Sequence, residues 1–363
     1  MLSIIVPTYR EAENIHPLVQ RIRAALDAGD DYEVIFVDDN SRDGIETRVE
    51  EVRQAGAPVR LIVRRDERGL SSAVMRGFRE ARGDLLMCMD ADMSHPPEAI
   101  PMMWRTLVEQ KADLVVGSRY VAGGQIEKGW GVYRWINSLV ALWLARPLSR
   151  VRDSGAGFFL LPRLIFEQGR DLQPIGYKTL LEISVKCPCR KVVEVPITFA
   201  DRKFGESKLN VREQILYLLH LKRLYDFRFP RAAFVGQFFL IGVTGVLVTL
   251  LVLAGLRLGG LSFGLAGALA IGAGIAWNYW PNRWLTYDLM ARHPVGPQYL
   301  RFAGMSLLGA AANWLVAVKL AGPTSQFGRQ ELLAMLVGLA VGSVVNILMQ
   351  AGMDSRFRHT SAN

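Results

Sequence analysis

The first half of the chain alternates short apolar runs with segments of helical spacing. Residues 3–7, 33–37, 59–63, 84–89 and 113–117 are Ile-, Val- and Leu-rich runs closed by acidic or turn residues, and they predict strands. Between them, residues 12–27, 46–54, 71–82 and 97–110 carry apolar positions at helical intervals. This alternation predicts an α/β domain built on a largely parallel, Rossmann-like mixed sheet. In such sheets ligands collect at the carboxyl ends of the strands, where this chain places its polar clusters.

The second pattern begins near Ala232, where charge disappears for long stretches. Residues 232–256, 258–282, 302–318 and 332–353 contain no charged side chain. A hydrocarbon core about 30 Å thick needs roughly 20 apolar residues per helix, so four spans are predicted, the third by extension past Lys319 or by tilt. Just before them, Ile215, Leu216, Leu218, Leu219 and Leu221 interleave with Arg212, Lys222 and Arg223. That spacing suits either a helix lying on the membrane surface or a soluble packing helix. The expected organisation is therefore residues 1–210 as an α/β domain, 211–230 as an interfacial region, and 231–363 as an all-α membrane domain. Its four helices are expected at about 232–256, 261–282, 299–321 and 331–353.

Half of the 363 residues are hydrophobic and the formal net charge is +9. Part of the basic charge (Lys222, Arg223, Arg228, Arg231) lies just before the first span and part between later ones, a pattern suited to lipid headgroups and phosphorylated substrates rather than nucleic acid. Arg283, Arg292 and Arg301 mark the middle loop, and Arg356 and Arg358 follow the last span. The other two loops carry only Arg257, Lys319 and Arg329, so both termini and the α/β domain are expected on the cytoplasmic side. Leu2–Val6 is too short to be the apolar core of a signal peptide. Cys88, Cys187 and Cys189 make no disulfide framework; Cys88 reads as a buried thiol, and the Cys187-Pro188-Cys189 pair as structural.

The segment richest in chemistry is Met89-Asp90-Ala91-Asp92-Met93-Ser94-His95-Pro96. Two carboxylates two residues apart at a strand end share a face by the period of the strand. They repel unless a cation lies between them, and Mg²⁺ accepts such carboxylates together with phosphate oxygens. Elsewhere, the same Asp-x-Asp is usually a solvated loop. Asp38-Asp39 closes the second strand in the same way, either as a hydrogen-bonding pair for a base or ribose or as a turn cap before Asn40-Ser41. Pro7-Thr8-Tyr9-Arg10-Glu11 closes the first.

In order along the chain, these segments resemble family-2 glycosyltransferases with the nucleotide-binding A fold, and within them the polyprenyl-phosphate (dolichyl-phosphate) mannose synthases. The resemblance covers about residues 1–225. Its further segments are Gly69-Leu-Ser-Ser-Ala73, Gly117-Ser-Arg-Tyr-Val121, Gly176-Tyr-Lys178, Val195-Pro-Ile197 and the Gly205-Glu-Ser-Lys208 loop. It implies that Pro7, Tyr9, Glu11, Val37 and Asp39 hold the nucleoside, and that Asp90, Ala91 and Asp92 hold the diphosphate with Mg²⁺ or Mn²⁺. By the same resemblance, Arg202 and Lys208 close over the donor phosphates, and Arg119, Arg134 and Ser138 receive the lipid phosphate, with Arg119 also reaching the donor. Ser94 stands where some relatives have Gln, so its expected part near the metal is through water at most. Asp153-Ser-Gly-Ala-Gly157 departs from the more usual Asp-Pro-x-Ser-Gly.

The segment Trp277-Asn-Tyr-Trp-Pro-Asn-Arg-Trp284 resembles the GtrA-type four-helix membrane proteins. Alternatively, it is an aromatic belt with a snorkelling Arg283. Asn278, Asn313, Asn346 and Gln350 read equally as interhelical hydrogen-bonding residues or as a lipid pathway. Together the resemblances imply metal-assisted, inverting transfer of mannose from GDP-mannose to polyprenyl phosphate. Asp90, Asp92 and Arg119 would be central to it, on the cytoplasmic face of the bilayer. UDP-glucose as donor, or lipid-linked-sugar translocation in place of an enzyme, are the rival readings. A processive polysaccharide synthase would carry Gln-x-x-Arg-Trp in the cytosolic domain; the near match Gln298-Tyr-Leu-Arg-Phe302 lies between spans.

Overall fold

The computed structural model describes residues 1–27, 29–126, 132–200, 211–283, 295–321 and 329–358. It divides into two units, Met1–Arg228 and Phe229–Asn363. The first contains β1 (Leu2–Thr8), α1 (Ile15–Ala25), β2 (Tyr32–Asp38), α2 (Ile45–Gln54), β3 (Val59–Val63), α3 (Leu70–Glu80), β4 (Leu85–Cys88), α4 (Ile100–Glu109) and β5 (Leu114–Ser118). There follow β6 (Gln125–Ile126), α5 (Val132–Ala145), β7 (Phe159–Pro162), α6 (Arg163–Glu167), α7 (Thr179–Lys186), β8 (Val192–Pro196), β9 (Thr198–Phe199) and α8 (Val211–Arg228).

Seven strands form one mixed sheet in the order β3-β2-β1-β4-β7-β5-β8. Only β7 runs antiparallel to its neighbours, pairing Cys88 with Phe159 on one side and Val116 with Phe159 on the other. The strand at 113–117 was expected to close the series; instead β7 and β8 follow it. The central strands are apolar without interruption because helices cover both faces. Alternate residues serve opposite layers: Ile4, Val6, Phe36 and Phe158 pack into one core, and Ile5, Ile35, Val37 and Phe159 into the other. In the second layer Phe78 of α3 meets Phe159 and Phe166 edge-on at centroid distances of 6.1 and 5.2 Å. Cys88 is buried there, and burial pushes its thiol well above the usual range.

Helix α8 packs one face on the α/β domain and leaves apolar side chains exposed on the other. Tyr217, Leu221 and Leu224 are buried in a cluster with Ala145 of α5 and Leu181 of α7, while Ile215, Leu218 and Leu219 stay exposed. A buried polar knot fastens it: Glu182 of α7 receives His220 Nε2 at 2.6 Å and Lys186 Nζ at 2.9 Å. Burial alone would raise the Glu182 carboxyl, but these partners bring it down to about 2.

The second unit holds α9 (Pro230–Leu258), α10 (Phe263–Pro281), α11 (Val295–Ala321) and α12 (Arg329–Arg358). Each packs on the next and α12 returns to α9, a closed four-helix arrangement. Among the described residues, α9 and α11 are long and apolar enough by length and composition to cross a bilayer. The Oδ1 atoms of Asn278, Asn313 and Asn346 are buried without hydrogen-bond partners, and the side chains press against glycines of facing helices, Asn278 on Gly245 and Asn346 on Gly309. Small residues let the backbones approach this closely. Arg283 does not snorkel: it is buried, and its Nη1 donates to Tyr279 Oη at 3.2 Å. Arg257 makes two 2.9 Å contacts with Glu331, a carboxylate of 0% exposure. Its charge is thus compensated within the bundle.

Candidate active site

The polar clusters gather beyond the carboxyl ends of β1, β2, β4 and β5. After β1, the loop carrying Tyr9 and Glu11 is laced to the loop after β2: Thr8 Oγ1 donates to Asp38 at 3.2 Å, Arg10 N to Ser41 Oγ at 2.8 Å, and Ala12 N to Asp43 at 3.0 Å. Glu11 accepts a bond from Asn14. Asp38 is fully buried and caps the turn, taking the Ser41 amide at 2.8 Å. Asp39 accepts Arg64 Nε at 2.8 Å on one oxygen and the Gly69 amide at 2.7 Å on the other. Arg64, at the end of β3, is itself buried, so the pair ties three loops into one floor. Pro7 and Val37 lie in the paired register of β1 and β2 beneath it.

The Asp-x-Asp segment lies just past β4, which ends at Cys88. Both carboxylates therefore lie in the turn that follows the strand rather than on it, with Met93 at φ 66°. Asp92 is 6% exposed, and its Oδ1 accepts the Ser94 amide at 3.1 Å and the Ser94 hydroxyl at 2.5 Å. Ser94 thus holds Asp92 directly. Asp90 is more open, and its backbone N–H donates to His95 Nδ1 at 2.9 Å. That bond requires an unprotonated Nδ1, so the 3.8 Å approach of Nδ1 to the Asp90 carboxylate is not an ion pair. The His95 ring stacks on Phe158 with centroids 5.3 Å apart. Ala91, between Asp90 and Asp92 in sequence, is buried.

After β5, Arg119 is held by Asp153 through Nε at 2.8 Å, Nη2 at 2.7 Å and its own backbone amide at 3.1 Å. Asp153 is completely buried and is positioned in turn by Glu194 of β8, which accepts its amide at 3.0 Å. Burial works against the guanidinium, but the Asp153 pair outweighs it and raises the Arg119 pKa, with Tyr120 and Asp90 acting in the same direction. The sequence alone ascribed no such role to Asp153 or Arg64. Their partners lie 34 and 25 residues away.

The segment joining the two halves is the one that departs from the family pattern. A side chain at Gly157 would begin 3.0 Å from His95 Cε1 and 3.2 and 3.3 Å from the Asp90 carboxylate oxygens. The glycine leaves Asp90 its room. Gly157→Ala is expected to lower kcat about tenfold or more by displacing that carboxylate, with little change in the thermal midpoint; steady-state kinetics and a melting curve together test this.

Ser138 of α5 bonds Tyr120 Oη at 3.0 Å, one residue from Arg119. Arg134 is one turn earlier on α5, but its side chain lies outside the described residues, as do Arg202 and Lys208 entirely. On the same helix Ile136, Leu139, Val140 and Trp143 form an exposed apolar stripe at helical spacing, Trp143 being 73% exposed. Among the described residues no group of three or more His, Cys, Asp or Glu side chains could hold a metal ion. Asp90 and Asp92 are nevertheless a hard-oxygen pair that fits Mg²⁺ or Mn²⁺ where phosphate oxygens and water complete the shell.

Residues 3–168 match the model of glycosyl transferase family 2, and residues 237–352 that of the GtrA/DPMS transmembrane domain. The dolichol-phosphate mannosyltransferase of Pyrococcus furiosus is 38% identical over 322 residues, covering 87% of this chain and 89% of that one. The dolichol-phosphate mannosyltransferase of Saccharomyces cerevisiae is 44% identical over 236 residues, covering 62% of this chain and 88% of its own. The solved structure of glucosyl-3-phosphoglycerate synthase from Mycobacterium tuberculosis is similar to this chain with a TM-score of 0.46 at 17% identity, over 63% of this chain and 79% of that one.

Proposed function

Since the chain belongs to the dolichol-phosphate mannosyltransferases, glycosyltransferases of family 2 with a GtrA-type membrane domain, we propose that it transfers mannose from GDP-mannose to polyprenyl phosphate with inversion, at the cytoplasmic face of the membrane. One observation carries this reading. A buried, permanently charged Arg119 stands within electrostatic reach of Asp90, beside a helix whose outer stripe is apolar. A phosphate carried on a lipid chain matches that combination, with the chain against α5 and the anion against Arg119.

The chemistry asks little of proton transfer. A polyprenyl phosphate is an anion at neutral pH and needs no general base, so alignment and charge balance dominate. Arg119, locked by Asp153, would orient the nucleophilic phosphate, with Ser138 and Arg134 alongside. Asp92, locked by Ser94, and Asp90 would hold a divalent metal, which when bound neutralises charge on the departing diphosphate. The floor built by Asp39, with Pro7, Tyr9, Glu11 and Val37, would receive the nucleoside. Arg202 and Lys208 would close over the donor phosphates. The Lys and Arg distribution supports both termini in the cytoplasm, with four spans between them.

The test is the purified full chain in lipid nanodiscs with polyprenyl phosphate and a panel of nucleotide sugars, with Mg²⁺, Mn²⁺ or EDTA, the lipid product identified by mass spectrometry. Mannosyl phospholipid formed from GDP-mannose and abolished by EDTA is expected. A glucosyl product from UDP-glucose overturns the donor. Translocation of labelled glycolipid without any synthesis overturns the enzyme.

A further inference from the structure

Among the described residues, Lys178, just before α7, makes no salt bridge to a carboxylate, though Asp153 is near enough to act on its charge. Its Nζ occupies the space in which a side chain at Gly155 would begin. The rings of Tyr177 and Tyr217 lie 4.8 and 5.9 Å from the ammonium. Its charged neighbours are Arg119, from the end of β5, and Asp153, from the loop before β7. Asp153 already has both oxygens on Arg119. Lys178 and Arg119 thus converge on Asp153, placing two cationic groups side by side where a phosphate could bridge them.

We propose that Lys178 binds the phosphate of the lipid acceptor together with Arg119, making it a further substrate-binding residue of the transfer reaction. This rests on the polyprenyl-phosphate reading above. The acceptor rather than the donor is indicated by what surrounds the ammonium. Tyr217 belongs to α8, and its hydroxyl donates to Ala141 O of α5 at 2.6 Å. Both helices carry exposed apolar side chains, Leu218 and Leu219 on one, Val140 and Trp143 on the other. Asp39 and its floor lie at β2, across β1, β4 and β7 from Arg119 at β5.

The cluster also predicts how binding titrates. Burial lowers the Lys178 pKa, the like charge of Arg119 lowers it further, and Asp153 offsets part, leaving it at about 8. Arg119 is held cationic by Asp153. Burial raises Tyr177, where Glu213 adds to the effect, and raises Tyr217 as well, so neither phenol ionises in the same range. An arriving phosphate dianion favours the ammonium, so binding and protonation are coupled.

Acceptor and donor KM would be measured across pH 6.5–9.5 for the full chain in nanodiscs, with a short-chain polyprenyl phosphate and GDP-mannose. Lys178→Met is expected to raise the acceptor KM about tenfold or more and leave the GDP-mannose KM within about twofold. In the parent protein the acceptor KM should rise about tenfold from pH 7 to pH 9 as the ammonium is lost, and the variant should lack that rise. Gly155→Ala displaces the flexible end of Lys178 without removing its charge. It should raise the acceptor KM severalfold and keep the pH dependence. An increase confined to the GDP-mannose KM, or an unchanged acceptor KM and pH profile in Lys178→Met, overturns the assignment. If the parent protein makes mannosyl phospholipid while these effects fail, the lysine assignment alone falls. If it makes none, the acceptor reading falls and takes this one with it.

Discussion

Asp92→Asn is expected to lower transfer activity by about 10²–10³-fold while leaving the fold intact. The separation follows from how Asp92 is held. Its Oδ1 accepts the amide and hydroxyl of Ser94, and an asparagine oxygen can accept both bonds in the same volume. What the substitution removes is the negative charge, in a buried turn where electrostatic interactions are strong. A group that stabilises charge developing on a leaving diphosphate contributes on the order of 3–4 kcal/mol in such surroundings. The readout is kcat/KM with GDP-mannose and polyprenyl phosphate at saturating Mg²⁺, beside a thermal melt. Full activity with metal present would remove Asp92 from the reaction. A large fall in melting temperature would show that its charge serves the fold instead.

Asp153→Asn should be the second large effect, and here fold and activity fall together. Asp153 is completely buried and binds Arg119 through two side-chain contacts and one backbone contact. Removing its charge leaves a buried guanidinium uncompensated, a change that costs about 3–5 kcal/mol in comparable sites. The amide also presents N–H groups toward a donor, so Arg119 must turn away. A displacement of about 1 Å in a positioning group can cost about 100-fold in rate. Both a depressed thermal midpoint and a kcat/KM reduced by about 100-fold are expected. Parent-like values of the two would mean that Arg119 needs no partner to reach its working position.

The two substitutions divide the candidate site by how visible it was in the sequence. Asp90 and Asp92 stand two apart in a segment whose acidic pattern stands out from its apolar surroundings, so they can be picked out as candidates without a fold. Both lie past the end of β4 at Cys88, where the backbone path is a turn that the strand period does not describe. Ser94 shows the same gap. Its position was noted, but its bond to Asp92 depends on a backbone turn that residue types do not specify.

By itself the sequence determined the α/β alternation, the strand ends where chemistry collects and the uncharged stretches beyond Ala232. Each is a local property: buried strands need unbroken apolar runs, and helices in hydrocarbon exclude charge over their whole length. Tertiary structure alone decided what meets across the sheet. It placed β7 antiparallel between β4 and β5, although Phe159–Pro162 is too short for its direction to be read. It brought Asp153 to Arg119, turned Lys178 into the space left by Gly155, and set Gly157 against Asp90. It also pressed the asparagines of the membrane helices onto glycines rather than onto each other. Contacts between residues far apart in the chain depend on which elements become neighbours, and packing settles that choice, not the local residue pattern.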